Sequence, residues 1–364
     1  MKKFYGGDIH EIVRQLNLKH DEIIDFSVSI NPLGLSSKAK RKINKEGLAS
    51  VRHYPDLQCA EMRRTLAPFH ALQEDQILAG SGSTEFVYAI PRVLKIRSAL
   101  VVTPALNDYE NGLEVSQADC RIRFFETREE EGFELRIEGV LSALTQGYDA
   151  LYLANPNALT GILAEKKELL RILARTEQEK TWFILDESFI DFIEEESLKA
   201  AALTSSRLII LRSMSKFYAL PGLRVGYIIS NPEVIREFAL RKEPWTVNTM
   251  AQIAASESLK DSRYIVRTQK TIRLERERLI EGLRAIPGFI PYPGRANYLL
   301  VQLHPGLKLT AEELREKLIP LGILICDCRS FHHMGPFFFR IAVRTREENQ
   351  TLLKALQRIR KEIG

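Results

Sequence analysis

The sequence predicts an α/β fold built on a mostly parallel central sheet. Three observations carry that expectation. Five short apolar runs recur between residues 99 and 229. Each run is continuous rather than alternating, as in strands buried on both faces. Each is followed by a polar or Gly/Pro stop and by helical patterning, so strands and helices alternate as a layered α/β core requires.

The runs are Ala99–Thr103, Ala150–Ala154, Trp182–Asp186, Leu208–Arg212 and Val225–Ile229, with a helix expected over Lys166–Thr176. From about residue 231 to 283 the pattern is mainly helical. Beyond it come a strand at Tyr298–Gln302, a helix near Thr310–Leu318, strands at Ile323–Ile325 and Phe338–Val343, and a last helix from about Arg346. This reads as a second, smaller α+β unit. A chain of 364 residues, 45% of them hydrophobic, has the length for about two domains.

Composition excludes several classes. Lys and Arg number 52 against 47 Asp and Glu, a net charge of +5, and no long run of one sign occurs. No nucleic-acid partner is expected. No stretch of 18 apolar residues exists to cross a membrane. The opening MKKFYGGDIHEIVRQ turns polar too early for a secretory signal. Cys59, Cys120, Cys326 and Cys328 read as reduced thiols of a cytoplasmic protein, and the C-x-C spacing is too tight for a zinc pair, so no metal is expected.

Strand ends are where α/β folds place ligands. The fourth run leads into Ser213-Met-Ser-Lys216. A lysine just past a buried strand can form an imine with a carbonyl cofactor once burial lowers its pKa; a surface loop lysine is the plainer alternative. The third run ends in Asp186-Glu-Ser-Phe-Ile-Asp191. Its carboxylate suits a protonated pyridine nitrogen, and also a helix cap or an ion pair. Arg224, in Gly222-Leu-Arg-Val-Gly226, offers the planar fork that fits a phosphate. The upstream loop Gly80-Ser-Gly82-Ser83-Thr84 could bring backbone N–H groups to an anion at a helix start.

Taken together, D-E-S-F-I-D, S-M-S-K and G-L-R-V-G resemble the segments of the fold-type I pyridoxal phosphate (PLP) enzymes, the aspartate aminotransferase superfamily. The resemblance runs over essentially the whole chain. It implies a large PLP-binding domain over 41–250, a small α+β domain over 251–364 and an N-terminal segment, 1–40, packing with the small domain. Ile30-Asn-Pro-Leu-Gly34, His53-Tyr-Pro-Asp56 and Thr103-Pro104 are similar to the branch shared by histidinol-phosphate aminotransferases and threonine-phosphate decarboxylases. Gly6-Gly7, Pro244-Trp-Thr-Val-Asn248 and Tyr292–Leu300 fit the decarboxylases of cobalamin biosynthesis better.

By that resemblance Lys216 is the Schiff-base lysine and Asp186 pairs with the pyridine nitrogen. Gly82, Ser83, Thr84, Ser213, Ser215 and Arg224 surround the cofactor phosphate, Tyr109 lies against the ring, and Tyr54 reaches the phosphate from a second subunit, which implies a homodimer. Arg340 matches the arginine of the substrate's α-carboxylate. The substrate implied is a phosphorylated amino acid or amino alcohol, with Gly7 and Ser29 in its pocket.

Several positions depart from the pattern. Ala158 stands where an asparagine bonds the ring hydroxyl, with Asn157 as the expected substitute, and Phe189 replaces a tyrosine with the same task. Tyr5 stands for a histidine, Ser29 for an asparagine and Cys326 for a phosphate-binding arginine, leaving Arg329 and Arg344 as the expected replacements. Decarboxylation, transamination and a cofactor-binding homologue with a decayed substrate site all stay open on these residues.

Overall fold

The structure, a computed structural model, describes residues 9–16, 19, 22–116 and 119–363. In chain order the strands are β1 (Ile24–Asp25), β2 (Ile77–Gly80), β3 (Ser98–Thr103), β4 (Arg121–Glu126), β5 (Ala150–Ala154), β6 (Trp182–Asp186), β7 (Leu208–Ser213), β8 (Gly226–Ile229), β9 (Phe289–Pro291), β10 (Tyr298–Leu303), β11 (Ile323–Leu324), β12 (Cys326–Asp327) and β13 (Phe338–Ala342). The helices are α1 (Ile9–Leu16), α2 (Ser37–Ser50), α3 (Ala60–His70), α4 (Ser83–Leu94), α5 (Asn107–Ser116), α6 (Ile137–Leu144), α7 (Lys166–Gln178), α8 (Pro232–Arg241), α9 (Thr249–Leu259), α10 (Ser262–Arg284), α11 (Ala311–Leu318) and α12 (Arg346–Glu362).

Seven strands form the large sheet in the order β2-β8-β7-β6-β5-β3-β4, with β8 antiparallel to both its neighbours and the other pairs parallel. The pleat explains the continuous apolar runs. Leu151, Leu153, Phe183, Leu185, Leu208 and Ile210 face one core layer. Ala150, Tyr152, Ile184, Ile209 and Leu211 face the other, under α4 and α5. β4, not expected from the sequence, is an edge strand with Arg121, Arg123 and Glu126 exposed, so it lacks the apolar run that marks the central strands.

The smaller unit is an antiparallel sheet, β12-β13-β10-β9. Its Leu299, Val301, Phe339 and Ile341 pack with Leu279, Leu283, Leu352 and Leu356 of α10 and α12. Alternate residues, Tyr298 and Leu300 on β10, Arg340 on β13 and Cys326 on β12, therefore point to the opposite face. The N-terminal segment joins this unit: β1 pairs in parallel with β11, and Phe26 lies in the same core.

Candidate active site

The C-terminal ends of β2, β3, β5, β6 and β7 converge on one edge of the large sheet, and antiparallel β8 begins there. In open α/β sheets ligands bind outside this edge. Asp186, the last residue of β6, is buried and bonded on both oxygens. Oδ2 accepts from Tyr109 Oη at 2.6 Å and Oδ1 from the Ser188 N–H at 2.8 Å. Burial and the Asp186 carboxylate push the Tyr109 phenol well above its ordinary pKa, so it stays the donor.

Lys216 lies in the loop after β7, its Nζ 6.0 Å from the centre of the Phe189 ring. Burial, then the Arg340 and Arg224 guanidiniums, bring its amine down to about 8, against an opposing pull from Asp186. Such an amine is neutral far more often than an ordinary lysine.

Arg224 has φ of 53° and donates to the Pro221 carbonyl at 3.3 Å. Its guanidinium lies over Gly82, where a Cβ would meet Nη2 at 2.7 Å. Gly82 has φ of +80° and is the N-cap of α4, with no side chain capping the first N–H groups. Ser83 and Thr84 form the first turn. Ser213 and Ser215, just before Lys216 in sequence, are buried, the Ser215 N–H donating to Ser213 Oγ at 3.3 Å. An uncapped helix N-terminus, a guanidinium on its N-cap and small hydroxyl residues make a seat for a phosphate.

Arg340 is buried on the inward face of β13. It donates through Nη1 to the Ala158 carbonyl at 2.9 Å and through Nη2 to the Ser27 carbonyl at 3.5 Å, while its Nε has no partner. The guanidinium sits 5.2 Å from the Tyr298 ring centre. Cys326 is its cross-strand neighbour. The Ser29 hydroxyl is also buried without a partner. Two orphaned donors near a lysine invite an anionic ligand, because leaving them unmet is costly.

Three expectations need correction. Asn157 does not replace the asparagine missing at Ala158. Its Nδ2 donates to the Pro104 carbonyl at 2.8 Å and its Oδ1 accepts from the N–H groups of Leu159 and Thr160 at 3.0 Å each, so the amide organises its own turn. Arg329 bonds Asp327 at 2.7 Å and Glu312 of α11. Asp327 is in register with Phe339, on the face opposite Arg340, so Arg329 is turned away from the substrate side. Arg344 donates to the Asp25 carbonyl at 3.1 Å and to Glu348 at 2.7 Å, tying the N-terminal segment to α12, while its Nε, like that of Arg340, has no partner. Gly7 lies outside the described residues. Tyr54 is 81% exposed, its ring centre 5.1 Å from that of Trp245.

One contributor that motif reading passed over is Asn31, which binds the backbone of Lys216 itself. Its segment, Ile30–Gly34, marked the family, but nothing local says which distant carbonyl it meets.

The sequence profile of the Aminotransferase class I and II family matches residues 21–356, and the chain belongs to that family of PLP-dependent enzymes. It is 36% identical to threonine-phosphate decarboxylase of Salmonella typhimurium, over 98% of this chain and 96% of that one. To histidinol-phosphate aminotransferase of Methanococcus aeolicus it is 28% identical, over 97% and 94%. Among solved structures, the histidinol-phosphate aminotransferase of Clostridium acetobutylicum superposes with a TM-score of 0.85 at 28% identity, covering 93% of this chain and 99% of that one.

Proposed function

We propose that this chain decarboxylates an O-phosphorylated amino acid, in the manner of threonine-phosphate decarboxylase, with aminopropanol phosphate as the product in cobalamin biosynthesis. The observation that carries the reading is the 36% identity to the Salmonella enzyme across almost the whole chain. What supports it in the site is a half-buried lysine with a lowered pKa, a carboxylate hydrogen-bonded on both oxygens and an uncapped helix N-terminus, which fit PLP, and an Arg340 guanidinium whose Nε–H is unmet.

In this reading Gly82, Ser83, Thr84, Ser213, Ser215 and Arg224 hold the cofactor phosphate, and Asp186 keeps a proton on the pyridine nitrogen. Bound PLP supplies an electron sink for whichever substrate bond stands perpendicular to its ring. Arg340 grips the carboxylate and so selects which bond that is. Lys216, with its lowered pKa, yields to the incoming amine and afterwards delivers a proton to the substrate's Cα. Phe189, buried with its ring centre 6.0 Å from the Lys216 amine, is the apolar wall beside it. The large domain over 41–250 supplies the cofactor side and the 251–364 domain, with residues 1–40, the substrate side. The working form is a cytoplasmic homodimer, with Tyr54 reaching the partner's phosphate seat.

The second reading, transamination of the histidinol-phosphate type, rests on the 28% identity to that aminotransferase; Cys326, not an arginine, beside Arg340 bears on either phosphorylated substrate alike. Purified protein should release CO2 from O-phosphothreonine and transfer no amino group between glutamate and the keto form of histidinol phosphate. Amino transfer without CO2 would install the aminotransferase reading instead. Neither activity, with PLP bound, would leave a decayed substrate site.

A further inference from the structure

The segment from Asp25 to Gly34 touches both halves of the site through its backbone. On the small-domain side, the Phe26 carbonyl accepts from the Ala342 N–H at 2.9 Å, that of Ser27 from Arg340 at 3.5 Å and that of Ser29 from Asn297 at 2.9 Å. Two residues on, the segment turns to the lysine. The Asn31 backbone N–H donates to the Lys216 carbonyl at 3.0 Å. Its Nδ2 lies 2.8 Å from the Phe217 carbonyl, 2.9 Å from Tyr264 Oη and 2.9 Å from Thr268 Oγ1. Its Oδ1 accepts from the Leu33 N–H at 3.0 Å. The Tyr264 hydroxyl closes the knot, 3.0 Å from the Phe217 carbonyl and 2.8 Å from that of Gly34.

We propose that Asn31 is a positioning residue that holds Lys216 in place by gripping the lysine's own backbone. The proposal rests on the reading of Lys216 as the cofactor-bearing residue. The physical case is one of supply. Lys216 stands past the end of β7, where no sheet ladder continues, and Asn31 meets the carbonyls of two successive residues there. Asn31 is buried, so water does not readily replace it. A loosened loop would let the long lysine side chain swing its amine away from Arg340, Arg224 and Asp186, the charged groups that face it, and into water.

The test reads Lys216 directly in cofactor-free protein. Competitive acetylation across a pH series, followed by peptide mass analysis, gives the pKa of that one amine. In wild type the midpoint should lie at about 8. In Asn31→Ala it should climb toward the ordinary lysine value of about 10.4. Tyr264→Phe, which keeps the ring and loses one contact to Phe217, should move it the same way by less. Asn349→Ala removes another buried asparagine, bonded to the Arg344 carbonyl, and should lower the melting temperature while leaving the Lys216 midpoint in place. A midpoint unmoved in both Asn31→Ala and Tyr264→Phe overturns the proposal; if Asn31→Ala does not fold, Tyr264→Phe decides alone. Borohydride labelling of a different lysine would sink the cofactor reading, yet leave the acetylation result to stand or fall separately.

Discussion

Asp186 has a partner on each oxygen, and that makes Tyr109 a measurable contributor. Tyr109→Phe keeps the ring and removes one bond to a charged acceptor, worth about 1.5–3 kcal/mol. Turnover should fall about 10- to 100-fold with the bound cofactor stoichiometry unchanged; unaltered kcat would show that Ser188 suffices. Lys216 gives a pH prediction. Its pKa is depressed, so the reactive neutral amine accumulates as pH rises through about 8, not through the usual lysine range. The rate at which cofactor-free protein acquires its visible PLP band should rise with that midpoint and then level, and Lys216→Ala should show no band. Asp186 and Lys216 stood out in the sequence because one ends a buried strand and the other follows one, and Arg224 because it lies just before one. Arg329 and Arg344 were misjudged because a guanidinium goes to its nearest carboxylates, and Glu312 lies on a helix whose placement no spacing reveals.

Among elements, β8 sets the tightest constraint. A Cβ on Gly226 would lie 2.5 Å from the Ser83 nitrogen, 2.7 Å from the Arg212 carbonyl and 2.8 Å from the Gly82 carbonyl carbon, all backbone. Gly226→Ala must part β8 from its neighbours or push the start of α4. It should cost about 1–3 kcal/mol or more and weaken PLP binding, whereas Gly222→Ala, with nothing within 4 Å, should do neither. Behind the sheet, Arg212 of β7 meets Glu187 at 3.1 Å and Glu194 at 2.8 Å, and His70 of α3 meets Tyr227 of β8 at 2.6 Å. Burial holds His70 down at about 4, outweighing the pull of Glu194. A depressed folded pKa means stability present above about 6.5 and lost as pH falls toward 4, by up to about 3 kcal/mol. Urea midpoints should decline over that window in wild type and less in His70→Gln. The sequence showed the apolar strands but not the direction of β8, since a run buried on both faces reads the same either way. It hid β4 for the opposite reason: an edge strand half in water has no continuous run to show.

For the whole molecule, Leu48, Val51 and Tyr54 follow one another along the end of α2 and its loop, all largely exposed, with Trp245 against Tyr54. Apolar side chains grouped in this way suit a covered surface. Mixing Tyr54→Ala and Lys216→Ala subunits tests whether that cover is a second copy. A crossing tyrosine leaves one sound site in each hybrid, so an equal mixture should regain about a quarter of wild-type activity. No recovery after verified subunit exchange would place Tyr54 in its own subunit's site. The change in patterning near residue 231 is visible in the sequence, whereas the packing of the N-terminal segment on the small unit was expected only from the family resemblance, because a two-residue strand such as β1 carries almost no pattern. The reversal at β8 also bears on which insertions the chain could survive. Lys216 and Arg224 are joined by a short hairpin-like return rather than by a helix crossing over the sheet. A crossover can lengthen outward and leave its strands where they were. The stretch between the lysine and the arginine has no such slack, so added residues there would separate the two groups, while the same addition after α6 or α7 should pass almost unnoticed.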